Sequence, residues 1–386
     1  MAGAFWSDGA TYYTMAHSLA FDGDLRFERQ DLERVYREFK DGPSGIFLKR
    51  GRELELTVTT TIPFLVSKGP LTEELYFAKA FIYSLMAAPF VRIFGTNGML
   101  LLHTVAFTTV LVTAYFFLVA SSPRWVALAF SLTFFFASVT PAYFVWLTPE
   151  LVNLCLVFLG AFFWLYRENA VSPPRLLSGT MSDVIGAAIW GAAAYSKANN
   201  IFLILPLLTL IAWRRQWKRG IIVSAAFGAV LSGLFIANLA ITGEMNYQGG
   251  DRKTFGGQYP FDRADLTFEN TGLAKVTNEI YTYQPWDIVL HDLYFYVIGR
   301  FSGVAIYCFP AIASLLVFFL TRKKQLYQWL VLAIAVFGCL LFIVWMPVNY
   351  FGGGGTLGNR YFLNVFPLFF FLTAGTKRLF VPTVAS

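Results

Sequence analysis

The sequence predicts an all-α polytopic membrane protein, and three observations lead to that fold class. Of its 386 residues, 56% are hydrophobic and only 14% are charged, whereas soluble proteins carry about 25% charged residues. Apolar runs of roughly 20 residues, long enough to cross a bilayer, recur from Gly98 to the C-terminus. Basic residues concentrate in alternate loops between these runs. The formal charge of +7 therefore reports membrane topology and does not indicate nucleic-acid binding.

The apolar runs after Gly98 predict about nine transmembrane helices. Their expected limits are 98–119, 125–142, 149–166, 184–197, 200–213, 220–241, 294–320, 326–346 and 361–376. The predicted organisation is an outer-face segment over 1–97, transmembrane helices over 98–241, an outer-face loop over 242–293 and C-terminal transmembrane helices over 294–386.

The positive-inside rule orients these helices, because short loops rich in Lys and Arg face the cytoplasm. The other loops, with the region before Gly98, are then expected on the outer face of an inner (plasma) membrane. Residues 75–94 resemble an amphipathic interfacial helix; the alternative is that they cross the membrane and leave 1–74 in the cytoplasm. Nothing before Asp8 could carry 1–74 outward, so we expect a further helix upstream of Met1.

Several function classes are not favoured by the motifs present. The sequence has no P-loop and no glycine-rich dinucleotide loop. We interpret Cys155, Cys308 and Cys339 as packing residues, because all three lie inside apolar runs without metal-ligand spacing.

Two acids at the predicted outer face are candidate catalytic residues. Asp8 opens the first outer segment and is a candidate general base; alternatively, Ser7 or Asp8 only caps the helix that follows. Glu150 follows Pro149 at the outer end of a predicted span, where an acid is a functional candidate. A first-turn Glu favoured by the helix dipole is the other interpretation. Glu150 could orient an acceptor or support a divalent cation, and no other cofactor is expected.

Basic residues on the same face are candidates for binding a donor phosphate. Lys68 lies in an outer segment, Lys79 lies on the predicted interfacial helix, and Lys197 ends a predicted helix. Lys68 and Lys79 could instead extend toward lipid headgroups. Arg300, Asn359, Arg360 and Tyr361 are placed near the beginning of two later spans. An Arg at a helix N-terminus is unfavourable with respect to the helix dipole, so we expect an anion beside it. That anion could be the donor phosphate or a structural carboxylate from 242–293.

These motifs together resemble the GT-C class of glycosyltransferases, most nearly protein O-mannosyltransferases and lipid A aminoarabinose transferases. The resemblance rests on Asp8 before a Tyr-bearing helix, Lys79 in Tyr-Phe-Ala-Lys-Ala-Phe, Lys197 in Ala-Tyr-Ser-Lys, and Arg360 in Gly-Asn-Arg-Tyr-Phe-Leu. Glu150 stands where the family more often has Asp. The resemblance implies a polyprenyl-phosphate-linked sugar as donor, a lipid, glycan or protein as acceptor, and contact with membrane lipids. A transporter or lipid flippase is the second expectation, and a non-catalytic scaffold is the third.

Overall fold

The computed structural model describes residues 6–40, 42–58, 65–67, 69–256, 265–274, 286–346, 349–353 and 356–373. Contacts divide the chain into two units, which are described separately. The N-terminal unit comprises Met1–His103, Trp146–Pro149 and Leu231–Val276. The helical unit comprises Thr104–Val145, Glu150–Val230 and Thr277–Ser386.

Most of the described residues are helical. The α-helices are α1 (Ser7–Phe21), α2 (Arg29–Glu38), α3 (Ile82–Phe94), α4 (Gly98–Val119), α5 (Arg124–Phe136), α6 (Thr140–Val145), α7 (Glu150–Asn169), α8 (Arg175–Ser178), α9 (Thr180–Ser196), α10 (Leu205–Trp213), α11 (Trp217–Thr242), α12 (Trp286–Ile298), α13 (Val304–Tyr307), α14 (Phe309–Leu320), α15 (Leu326–Trp345) and α16 (Phe366–Phe370). The 3-10 helices are Gly95–Asn97, Ala198–Ile204, Phe362–Asn364 and Phe371–Thr373. The strands are β1 (Ile46–Arg52), β2 (Leu56–Val58), β3 (Leu65–Ser67), β4 (Leu71–Phe77), β5 (Lys253–Phe255) and β6 (Leu273–Ala274).

The N-terminal unit contains a four-stranded antiparallel sheet with strand order β4-β1-β5-β6, so the all-α prediction is wrong for this unit. The predicted interfacial helix over 75–94 is also wrong at its start. Residues 75–77 belong to β4, and α3 begins only at Ile82. Pairing with β1 accounts for this, because strand formation depends on cross-strand partners more than on local periodicity.

Basic residues of β1 join this sheet to the segment after α11. The Arg50 Nε lies 3.1 Å from Asp251 Oδ2, and the Arg52 Nε lies 3.3 Å from Glu244 Oε1. Lys49 is fully buried, and its Nζ donates to Thr242 Oγ1 at 3.0 Å and to the Asn246 carbonyl at 3.2 Å. A buried ammonium requires such partners.

Four helical stretches of the described residues are long and apolar enough to cross a membrane, which supports a helical membrane protein. They are Ile82–Val119, Glu150–Asn169, Trp217–Thr242 and Leu326–Val344. The described residues do not contain nine such helices, so that part of the prediction is wrong. Several apolar runs are interrupted: 125–142 breaks between α5 and α6, 294–320 divides into α12, α13 and α14, and 361–373 alternates short 3-10 and α-helical turns. Hydropathy counts apolar residues but does not detect these breaks.

The helical unit is packed through aromatic rings and small residues. Phe134 stacks on Phe366 with ring centroids 4.5 Å apart. Helices α7 and α9 meet at Gly160 and Gly186, where a Cβ on Gly186 would lie 2.8 Å from the Gly160 carbonyl oxygen. The Trp190 indole N–H donates to the Val157 carbonyl at 3.1 Å across the same contact. Close helix approach at small residues is typical of membrane helix pairs.

The burial of His17 on α1 contributes to the pH dependence of the stability of the N-terminal unit. His17 on α1 stacks on Tyr13 with ring centroids 4.3 Å apart and is 4% exposed. Burial lowers the pKa of His17 to about 4, against an opposing effect of Glu38 and a smaller additional lowering by Arg34. The unfolded chain, with an ordinary imidazole pKa of 6.5, therefore binds more protons than the folded chain between these values. Stability contributed by neutral His17 is lost as pH falls from 6.5 toward 4.

We predict that His17→Phe removes this acid sensitivity while preserving the ring stack. Relative to the variant, the wild type should lose at most about 3 kcal/mol between pH 6.5 and pH 4, since one pKa unit corresponds to 1.36 kcal/mol. Burial raises the pKa of nearby Asp31 to about 7, which gives the opposite slope, but this effect is common to both proteins. Thermal unfolding of both proteins across pH 4–7 measures how their stability depends on pH. If stability changes with pH equally in the wild type and the variant, His17 is not the source of the acid sensitivity.

Candidate functional site

Asp8 is the second residue of α1 and is not its N-cap. The N-cap is Trp6, which makes no side-chain capping bond, so the capping interpretation is wrong as it was stated for Ser7 or Asp8. Ser7 has a φ of +57° and donates its N–H to the Ser44 carbonyl at 2.8 Å. Such a backbone conformation costs on the order of 1–3 kcal/mol in a non-glycine residue. The turn before Asp8 is therefore held by tertiary contacts.

The Asp8 carboxylate is paired with Lys79 in the N-terminal unit. The Lys79 Nζ lies 2.5 Å from Asp8 Oδ1 and 4.1 Å from the ring centroid of Phe47. Lys79 was predicted on a helix, but it lies between β4 and α3. That link brings the ammonium to the first turn of α1, where a continuous helix over 75–94 was expected. Lys68 lies outside the described residues.

Four predicted site residues meet in the helical unit: Glu150, Lys197, Arg360 and Tyr361, which we call the charged cluster. The Lys197 Nζ lies 3.5 Å from Glu150 Oε1 and 5.9 Å from the Tyr361 ring centroid. The Arg360 Cζ lies 5.0 Å from the same centroid, and its Nη2 donates to the Tyr361 hydroxyl at 3.2 Å. Two cations therefore share one aromatic ring, and a carboxylate buried at the start of α7 faces one of them.

Tyr143 on α6 adjoins this cluster and was not singled out from the sequence. Its hydroxyl donates to the Leu357 carbonyl at 3.0 Å. Burial raises the pKa of Tyr143; the charge of Glu150 raises it further, and that of Arg360 lowers it. A neutral phenol beside both charges thus remains a hydrogen-bonding group at neutral pH.

A tight turn positions Arg360. Asn359 is buried, and its Oδ1 accepts from the backbone N–H groups of Tyr361 at 3.0 Å and Phe362 at 3.1 Å. Its Nδ2 donates to the Tyr350 carbonyl at 2.6 Å, so these contacts shape the turn. Gly353 has a φ of +90°, and a Cβ there would lie 3.0 Å from Arg360 Nη2. The glycine leaves room for the guanidinium.

The helix-dipole argument for an anion at Arg360 is wrong. The expected long helix after it is replaced by the 3-10 turn Phe362–Asn364 and the five-residue α16. So short a helix has little macrodipole. The case for an anion must instead rest on two neighbouring cations.

Arg300 lies in a break between α12 and α13 and not early in a helix. Its side chain is exposed and lies over Phe301, with Cζ 5.2 Å from the ring centroid. The neighbouring Phe301 carbonyl accepts the Gly358 N–H at 3.1 Å. The backbone beside Arg300 thus supports the turn that carries Arg360, while the guanidinium points toward the surface.

An apolar groove of about 330 Å³ begins beside the charged cluster. Its lining comprises Ala198, Asn199, Ile201, Phe202, Leu341, Phe342 and Met346. Ala198 directly follows Lys197, and Phe342 stacks on Tyr361 with centroids 4.4 Å apart. A ligand that combines an anionic head with an apolar chain fits this order of groups.

Three buried asparagines, also not singled out from the sequence, form a hydrogen-bonded ring beneath the cluster. Asn153 donates to Asn364, Asn364 donates to Asn200, and Asn200 donates to Asn153 at 3.1 Å. All three are at most 6% exposed. Amide side chains inside apolar runs are the sequence signal that could have identified them.

Comparison of the chain with family models, with curated proteins and with solved structures gives no match. Function is therefore inferred from geometry. Among the described residues, no group of three or more His, Cys, Asp or Glu side chains is arranged to hold a metal ion. Glu150 instead contacts the Lys197 ammonium, so its carboxylate can hold that side chain in place.

Proposed function

We propose that this chain is an integral-membrane glycosyltransferase that moves a sugar from a polyprenyl-phosphate donor to an acceptor hydroxyl on a lipid, glycan or protein. The observation that carries the proposal is the pair of cations, Lys197 and Arg360, around the Tyr361 ring beside an apolar groove. Cations matched to phosphate oxygens give strong charge-assisted hydrogen bonds. The groove accommodates the first part of an isoprenoid chain.

Each charged residue has a role in the proposed reaction. The acceptor oxygen attacks the anomeric carbon, and the bond from that carbon to the phosphate oxygen breaks. The electron pair leaves with the polyprenyl phosphate, whose charge Lys197 and Arg360 neutralise. The acceptor proton passes to a general base, and Asp8 is the candidate for that role. Glu150 holds the Lys197 ammonium in place.

The proposed outer-face location has support from strand pairing. Strands β1 and β5 are hydrogen-bonded, so these parts of the N-terminal segment and of the loop after α11 lie on one side of any membrane that the chain crosses. The basic residues around 214–219 fall at the other end of α11, which is long enough to span a bilayer. The positive-inside rule then favours the outer face for the sheet.

We predict that a cysteine at exposed position 30 is labelled from outside intact cells, whereas one at exposed position 218 is not. The background would carry Cys155→Ala, Cys308→Ala and Cys339→Ala. A membrane-impermeant maleimide, with permeabilised cells as control, makes the measurement. Labelling of Gln30→Cys only after permeabilisation would place the sheet in the cytoplasm and overturn the outer-face assignment.

We predict that Asp8→Asn lowers sugar transfer by a factor of about 10²–10⁴, because a general base is lost while size is kept. Purified protein would be incubated with candidate polyprenyl-phosphate sugars and acceptors, and products would be identified by mass spectrometry. Asp287→Asn is the matched control, since Asp287 is likewise the second residue of its helix, and it should retain wild-type transfer.

Full activity in Asp8→Asn would exclude Asp8 as the base. If the wild type moves the lipid between leaflets without forming a glycosidic bond, the flippase alternative replaces the transferase proposal.

We predict that Arg360→Ala weakens binding of farnesyl monophosphate about ten- to a hundredfold, because a charge-assisted contact contributes roughly 1.5–3 kcal/mol. Arg360→Lys should restore binding only in part, since Lys lacks the planar fork that matches phosphate. Arg322→Ala, which removes an exposed Arg from a basic loop, is the control for net charge. Titration of each variant with farnesyl monophosphate measures its affinity, and Tm shows whether the variant is folded. Unchanged affinity in folded Arg360→Ala would show that Arg360 is not part of the phosphate site.

A further inference from the structure

The asparagine ring has a regular relation to the charged cluster. Asn153 follows Glu150 by three residues, Asn200 follows Lys197 by three, and Asn364 follows Arg360 by four. Glu150 and Asn153 share the first turn of α7, where this spacing places side chains close together. Asn200 lies in the 3-10 helix that follows Lys197, and Asn364 ends the 3-10 turn that follows Arg360. The ring connects the three chain segments that carry the cluster, although these segments are 47–211 residues apart in sequence.

Two members of the ring, Asn200 and Asn364, also make hydrogen bonds within their own segments. Asn200 donates a second bond to the Ala193 carbonyl at 2.9 Å, in the last turn of α9. The Ala193 carbonyl also accepts the Lys197 N–H at 2.9 Å, so Asn200 contacts the carbonyl that sets where the helix stops. The Asn364 backbone N–H donates to the Tyr361 carbonyl at 3.2 Å, which closes the turn after Arg360.

A cyclic arrangement restricts geometry more than three separate bonds would. Every amide donates one bond to the next and accepts one from the previous, and neighbouring bonds polarise one another in a low-dielectric interior. A shift of any one segment breaks two bonds of the ring. The positions of Glu150, Lys197 and Arg360 are therefore coupled through amides that are not part of the lining of the apolar groove.

We propose that Asn153, Asn200 and Asn364 are positioning residues that set the spacing of Lys197 and Arg360 for one phosphate group. This inference rests on the proposed donor site. In this proposal the amides determine how strongly the site prefers a phosphate head over a neutral one. The alternative is that they only stabilise the helical unit.

The test compares farnesyl monophosphate with farnesol on the full-length protein. Both ligands carry the same apolar chain, so the Kd for farnesol divided by the Kd for farnesyl monophosphate measures the contribution of the phosphate. Each of three variants, Asn153→Ala, Asn200→Ala and Asn364→Ala, should lower this ratio at least tenfold. The Kd for farnesol should stay within about twofold of the wild-type value. The reason is that two cations bind one phosphate strongly only when their positions are fixed beforehand. Asn200→Ser and Asn364→Ser retain a hydroxyl donor and should recover part of the ratio.

Asn169→Ala is the matched control. Asn169 is on the same helix as Asn153, its Nδ2 donates to the Phe117 carbonyl, and sixteen residues of helix correspond to roughly 24 Å. It should lower Tm without changing the ratio. If the Ala variants fail to fold, the Ser variants decide by the same ratio.

If folded variants of the three asparagines keep the wild-type preference for farnesyl monophosphate over farnesol, the ring is only structural. That result would overturn the inference. A wild-type protein with equal affinity for the two ligands would instead overturn the donor site itself.

Discussion

Pairing of polar groups inside an apolar protein is the constraint on which the rest of this structure depends. A buried charge or amide is costly unless a partner meets it, and most of the chain offers only apolar neighbours. Lys49 meets Thr242 and a backbone carbonyl, Asp183 meets Arg167 and Arg219, and three asparagines meet one another. Each set joins segments distant in sequence, so polar pairing determines which segments are neighbours, while apolar packing supplies most of the area.

The sequence predicted the helical class and several helix limits because hydropathy and helix length are local properties. Residues 98–119 and 326–346 agree closely with α4 and α15. The sheet was missed because the paired strands β1 and β5 are separated by about 200 residues, and no local pattern connects them. Helix breaks were missed for a related reason: 3-10 turns and short helices retain the apolar composition of a continuous span.

The predicted site residues that the structure brings together are residue types unusual for their surroundings. Glu150, Lys197 and Arg360 were noted as charges at the ends of apolar runs, and the structure brings them together around Tyr361. Tyr143 and the asparagines were not noted, because uncharged polar residues occur in many helices without a ligand role. Their meaning depends on partners such as Asn153 and Asn364, which no local pattern connects.

The end of α9 explains why the cations and the apolar groove are neighbours. Lys197 has an extended backbone, with φ −141° and ψ 115°, and the chain continues as the 3-10 helix Ala198–Ile204. Pro206 lies in the first turn of α10, where its missing N–H is tolerated. A continuous α-helix from α9 through α10 would distribute residues 197–202 around its circumference. The break instead places the Lys197 ammonium in the charged cluster and its next residues along the groove, so one interruption of the helix creates the polar and apolar parts of the site together.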